Sequence, residues 1–272
     1  PDKESTVPEG IEQRVLIAPA HLHLALLVTI LERQLEDPCS KILVFTPTLE
    51  LTIFLARIFG YLLPNVRVHD LHGLLDEKTR EKVRADFAAN SNQLLFTSDV
   101  SARGMDFPGV SNVLQLGWPR TRQQYIHRVG RTGRKGCSGA ALLLLNPTER
   151  GFLDHLHDVS LKITEVDERQ EQALWQQRLR VEHGMKDLHA VGDKIFDLGR
   201  EKGYVKSKRR VDAPTVWASW VEHQRRYFGD LGCSEQEFAE AAAGFGDSLG
   251  LRDTHLVPRG LALLKGTEGR EG

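Results

Sequence analysis

Short apolar runs alternate with longer stretches of helical spacing over the first three-fifths of the chain. The runs at 15–18, 41–45, 66–71, 93–96, 113–116 and 140–145 read as strands. Between and after them, 21–35, 49–62, 76–88, 121–128 and 149–157 read as helices. Runs such as Ile42-Leu43-Val44-Phe45 are apolar at every position, as strands covered on two faces must be. Strands that alternate with helices belong to a parallel sheet. The expected fold is therefore α/β, a parallel sheet with helices on both faces. Ligands of such sheets gather at the carboxyl ends of the strands. The polar loops at Thr46, His72, Ser98 and Gly117 fall at such ends.

The pattern changes after about residue 160. Strand-like runs stop, and 168–182, 184–203, 214–228 and 234–245 read as helices separated by Gly, Pro and charged turns. Pro214 suits a first helical turn, with Asp212 placed to cap it. The organisation expected is a linker over 1–11, an α/β domain over 12–159, an α-helical extension over 160–265 and a short tail over 266–272.

Composition narrows the picture only a little. With 272 residues at 40% hydrophobic, the chain can bury a core, and wholesale disorder is excluded. The formal net charge of −1 offers no general attraction to nucleic acid, so any such contact must rest on local placement. Cys39, Cys137 and Cys233 are too scattered for a metal site or a disulfide framework, which points to a reducing intracellular compartment. No apolar run approaches the ~20 residues needed to span a bilayer, and no membrane partner is expected. The chain starts at Pro1 rather than Met, which reads as a fragment with any targeting peptide removed.

Charge is concentrated in two places. Ser98-Asp99-Val100-Ser101-Ala102-Arg103-Gly104-Met105-Asp106 follows an apolar strand. Arg128, Arg131 and Arg134 recur at every third position and share one side of a helix or tight turn, with Gly130 and Gly133 keeping bulk away. Guanidinium forks match phosphate oxygens; the bland reading is a solvated helix end. Thr48, between a strand and a helix, suits an anion site at a helix N-terminus and equally a simple N-cap. Lys202, Lys206, Lys208, Arg209 and Arg210 cluster around Tyr204, as suits a nucleic-acid backbone, or an ordinary solvated loop. Trp217 and Trp220 read as core rather than as a platform for bases.

These residues resemble the second RecA-like domain of superfamily 2 helicases, and within them the DEAD-box RNA helicases. Residues 127–134 match H-R-x-G-R-x-x-R in full, and 98–106 match T-D-x-x-A-R-G-x-D with Ser98 for the threonine. The resemblance implies that Arg131 and Arg134 are arginine fingers on ATP. It places Asp106, with Gly104 beside it, at the nucleotide ribose; a turn residue before Pro108 is the alternative for Asp106. Ser98 and Asp99 would hold an RNA phosphate and link the two motifs. Arg103, His127 and Arg128 would lie at the contact with the first RecA-like domain, although Arg103 could equally pair with Asp99 or Asp106. Thr48 falls in the RNA-contacting segment that opens the domain. Gly73 and Arg80 match H-G-x-x-x-Q-x-x-R, whose residues contact RNA phosphates, but Glu77 replaces the glutamine and would orient Arg80 or pair with Arg84.

The chain has no G-x-x-x-x-G-K-[ST] loop and no Asp-Glu-Ala-Asp. ATP with its Mg2+ would therefore be held by the missing first domain, and this chain alone would not turn over ATP. Over 12–158, and more weakly to 265, the chain is similar to fungal mitochondrial DEAD-box proteins that assist intron splicing. That likeness implies an RNA chaperone of the mitochondrial matrix, binding duplex and single-stranded RNA with little sequence preference. The alternative is a non-catalytic RNA- or protein-binding module that kept the fold.

Overall fold

The structure, a computed structural model, describes residues 7, 10–99, 107–134, 138–165, 193, 197, 204–206 and 209–251. Seven strands form one wholly parallel sheet: β1 (Ile11–Ile17), β2 (Lys41–Phe45), β3 (Arg67–Leu71), β4 (Gln93–Thr97), β5 (Asn112–Leu116), β6 (Gly139–Leu145) and β7 (Lys162–Glu165). Their order across the sheet is β3-β4-β2-β5-β6-β1-β7. The intervening helices are α1 (His23–Leu35), α2 (Leu49–Leu62), α3 (Glu77–Ala89) and α4 (Arg122–Val129).

Every residue of β2 and β4 is buried. Successive side chains of a strand point to opposite faces, so the middle of the sheet is covered on both. The core centres there, on Phe45, Phe54, Phe59, Leu95 and Phe96, each no more than 2% exposed. The helices start where local chemistry lets them start. Thr48, Asp76 and Thr121 cap α2, α3 and α4 by accepting the N–H of Leu51, Thr79 and Gln124, which satisfies donors that a helix start leaves unpaired.

Three expectations are corrected. Strand structure does not stop at residue 160. β7 pairs with β1 at the sheet edge, and its Ile163 remains 48% exposed. An edge strand with one neighbour needs no continuous apolar run, which hid this polar segment. A two-stranded antiparallel pair, β8 (Tyr204–Lys206) and β9 (Arg209–Val211), also lies within the region expected to be helical. Finally, the segment expected as a helix over 149–157 is a 3-10 stretch, Pro147–Leu156. The helix expected over 168–182 lies outside the described residues; of that over 184–203, residues 193 and 197 are described, and both are helical.

Contacts divide the chain into two units. The first holds the sheet, with Ile30–Leu145 as its main segment. The second combines Ala18–Thr29, Asn146–Gly151 and the described residues beyond 166. In this second unit, α5 (Ala213–Arg225) and α6 (Glu235–Ser248) pack by their aromatics. Trp220 stacks on Phe245 at 4.6 Å, and the Trp217 indole N–H donates to the Ala242 carbonyl at 2.8 Å. Both tryptophans are 4% exposed, so they are core, as expected. Glu149, 1% exposed, accepts from the Gln224 amide and from the Asn146 N–H.

Candidate functional site

The carboxyl rim of the sheet is stitched by threonines. The Thr46 N–H donates to Thr97 O at 3.0 Å, and the Thr97 hydroxyl donates to Leu71 O at 3.0 Å. The ends of β2, β4 and β3 are thereby held together. Thr48 follows at the head of α2, its Oγ1 accepting from Leu51 N–H at 3.2 Å. At the end of β3, His72 Nδ1 accepts from the Leu74 N–H at 3.3 Å. The ring proton therefore sits on Nε2, which donates to Asp70 Oδ2 at 3.1 Å. This dyad shapes the turn that presents Gly73, exposed and with nothing within 4 Å of where a Cβ would stand. Arg80 lies in the first turns of α3. Of the two partners open to Glu77, the structure selects Arg80, at 3.1 Å, while Arg84 pairs with Glu81. The Arg80 Nε is shielded from solvent and has no hydrogen-bond partner.

Next along the rim, Asp99 faces Arg128. Its two carboxylate oxygens accept from Arg128 Nε and Nη2 at 2.6 Å each, a bidentate pair. Arg128 Nη1 donates to Gln115 Oε1 at 3.2 Å, and its guanidinium lies 5.2 Å from the Phe45 ring centre. Its side chain is 5% exposed. Within this chain, Arg128, expected at the contact with a first domain, is held by Asp99 and Gln115. Its charge is turned inward, where the half-buried Asp99 carboxylate and the Gln115 amide oxygen accept from its donors. His127, on the neighbouring position of α4, is exposed. Gln123 is exposed, Gln124 half-buried and Tyr125 buried, its hydroxyl donating to Gln13 Oε1 at 3.0 Å.

Arg131 and Arg134 stand elsewhere. α4 ends at Gly130, and the chain tightens through bonds from Arg131 N–H to Arg128 O and from Thr132 N–H to Val129 O, each 3.1 Å. Arg131 Nε donates to His127 O at 3.2 Å and Arg134 Nε to Gly130 O at 3.0 Å. The last carbonyls of a helix lack backbone partners, and these two arginines serve them. Both side chains are partly exposed. Gly133 takes φ +65°, a left-handed turn that favours glycine. Thr132 is 1% exposed and bonds to Val110 and Ser111, at the head of β5. Arg128 bonds to Gln115, near the tail of β5. The positions along β5 that the arginine turn and Arg128 bond to, Ser111 and Gln115, are four residues of extended chain apart, on the order of 13 Å.

Gly139, first residue of β6, permits this arrangement. A Cβ there would lie 2.3 Å from Thr132 Oγ1 and 2.7 Å from Gly133 N. Gly139→Ala is expected to destabilise by about 1–3 kcal/mol, the usual range for overpacking, read as a lower urea midpoint. An unchanged midpoint would mean that the turn shifts freely.

Gly104, Asp106, Arg103 and Lys208 lie outside the described residues. Lys206 and Arg209 are opposite each other in the β8–β9 register. Among the described residues no group of three or more His, Cys, Asp or Glu is placed to hold a metal, and no helix is long and apolar enough to cross a membrane.

Residues 23–136 match the helicase conserved C-terminal domain. That segment is a helicase C-terminal domain. Its homologues are DEAD-box RNA helicases: "DEAD-box ATP-dependent RNA helicase 26" of Oryza sativa subsp. japonica is 32% identical over 94% of this chain and 44% of its own length. "DEAD-box ATP-dependent RNA helicase 25" of the same organism is 40% identical over 59% of this chain and 27% of its own length. The chain spans less than half the length of these curated relatives. Its RecA-like fold matches domain 2 of the DEAD-box helicase Mss116p, solved bound to an RNA duplex. That match has a TM-score of 0.68 at 24% identity and covers 88% of this chain and 86% of that one. Every expected site residue of the helicase domain except Lys206, Lys208 and Arg209 falls within the matched segment. Three residues of that segment, Lys41, Gln115 and Thr132, and Gly139 three residues beyond it carry structural roles that the sequence did not assign. Lys41 gave one signal, a charge at the head of an otherwise apolar strand.

Proposed function

We propose that the chain is the second core domain of an ATP-dependent RNA helicase, acting as an RNA chaperone. It supplies Arg131 and Arg134 to ATP bound on a first domain and binds RNA backbone along its carboxyl rim. The observation that carries this is the arginine turn. Two guanidinium groups stand on one turn, partly exposed, with each Nε tied to a carbonyl of the same segment. Such a tether limits where the outer nitrogens can point, which suits a group that must meet developing charge on a γ-phosphoryl. Asp106 and Gly104 would take the ribose, and magnesium would be held by the first domain.

On the RNA side, Gly73, Arg80, Ser98 and the head of α2 at Thr48 lie at adjacent strand ends. Gly73 lets a phosphate reach the backbone, and Arg80, its side chain 30% exposed beside Glu77, adds a guanidinium nearby. Contacts of this kind go to the backbone and carry little sequence preference. Duplex would be recognised by A-form shape and 2′-hydroxyls, with Lys206, Lys208 and Arg209 of the extension adding charge. Work on mitochondrial introns is the narrower reading and rests on the resemblance of 12–265 alone; organelle fractionation of the full-length protein tests it.

The test of the main reading has two arms. This chain alone should show no RNA-stimulated ATPase, whereas the full-length protein should. In filter binding, the chain should prefer RNA duplex to DNA duplex and to single strands. Turnover by the isolated chain would remove the half-site, and equal affinity for all three nucleic acids would remove the duplex-docking role.

A further inference from the structure

Lys41 opens β2 yet is only 8% exposed. Burial pushes its ammonium pKa below the ordinary lysine range, and its donors are spent on the protein. Nζ donates to Ala88 O at 2.9 Å and Pro108 O at 3.3 Å, beside the Phe87 ring. Phe107, 1% exposed, meets Phe87 edge-on at 6.0 Å. The backbone of Lys41 grips Ser111 three times. Its N–H donates to Ser111 Oγ at 3.1 Å, and its carbonyl accepts from the Ser111 N–H at 2.9 Å and hydroxyl at 3.1 Å. Residues 107–111 are therefore fixed from the β2 side.

From the other side they are fixed by one hydroxyl. Thr132 Oγ1 lies 2.6 Å from Val110 O and 3.1 Å from Ser111 O. A hydroxyl has one proton, which goes chiefly to the nearer carbonyl. Thr132 sits directly after Arg131 and two residues before Arg134. The glycine at 139 leaves the space this contact requires.

We propose that Thr132, backed by Ser111 and Lys41, is a positioning residue that fixes the arginine turn against the head of β5. It thereby sets where Arg131 and Arg134 stand when ATP is bound. This rests on the arginine-finger reading. A threonine serving stability alone would lower the melting temperature and leave turnover of the folded enzyme intact. One acting through the arginines must lose its effect when they are gone.

The experiment measures RNA-stimulated ATP hydrolysis and melting of the full-length protein. Thr132→Val keeps the shape and removes the proton donor. It should lower kcat by about 10- to 100-fold, the scale on which misplacing a catalytic group by about 1 Å acts, with KM little changed. Thr132→Ser should restore most of kcat. In an Arg131→Ala, Arg134→Ala background, Thr132→Val should cause no further loss. Lys41→Met provides a second variant that keeps the aliphatic stem; a smaller fall in kcat, likewise absent in the arginine-less background, is expected. Full kcat in folded Thr132→Val, or an equal fold-loss in the arginine-less background, would overturn the brace alone. Unchanged kcat in the arginine variants themselves would overturn the finger reading and this inference with it.

Discussion

Arg134→Ala in the full-length protein is expected to lower kcat for RNA-stimulated ATP hydrolysis by about 10³-fold or more, the lower end of what an arginine finger contributes. That is about 4 kcal/mol of transition-state stabilisation. The structural share of the same side chain is expected to be smaller. Arg134 Nε donates to Gly130 O at 3.0 Å, and a hydrogen bond contributes about 1 kcal/mol net. The two effects are therefore separable: a large fall in kcat beside a melting temperature lowered by only a few degrees. RNA affinity should change little, because the turn is tied to the head of β5 while Gly73, Arg80 and Ser98 follow the carboxyl ends of β3 and β4. Arg134→Lys should recover little, since an ammonium lacks the planar fork. A kcat within a few-fold of the parent in Arg134→Ala would exclude the finger role and leave the binding-module reading in place.

The reach of the sequence differed between strands and contacts. β2 and α2 were legible almost residue for residue, because a buried parallel strand is apolar throughout and Thr48 marks where the helix begins. β7 was not, because an edge strand with one partner keeps polar and apolar residues alike. The arginine motif was legible as a motif, but spacing grouped Arg128 with Arg131 and Arg134 as one charged face. The fold separates them. α4 ends at Gly130, so Arg128 lies on the helix and points to Asp99, while the other two stand on the turn beyond it. No periodicity reports a bond between residues far apart in sequence, which is why Thr132–Val110 and Lys41–Pro108 were invisible. Gly139 was invisible for the same reason: its meaning lies in what a side chain would strike.

The Asp99–Arg128 pair makes an asymmetric prediction about stability. Losing one member of a buried ion pair costs about 3–5 kcal/mol, because the survivor is left charged and unpaired. The two survivors differ here. Arg128 has a side chain 5% exposed, whereas Asp99 is 23% exposed. Asp99→Asn strands the guanidinium where water cannot reach it, with Gln115 and the Phe45 ring as its remaining neighbours. A cost of about 3 kcal/mol is expected, a fall in melting temperature of about 6–12 °C. Arg128→Met strands a carboxylate that can turn toward solvent, and the methionine replaces much of the lost packing. About half that cost is expected, less than the full price of a buried unpaired charge. The double variant should be more stable than the sum of the singles implies, since contacting residues do not add. If Arg128→Met proved the more damaging, Arg128 would be acting on a partner other than Asp99, and the solvent access of the carboxylate would not be what sets the cost.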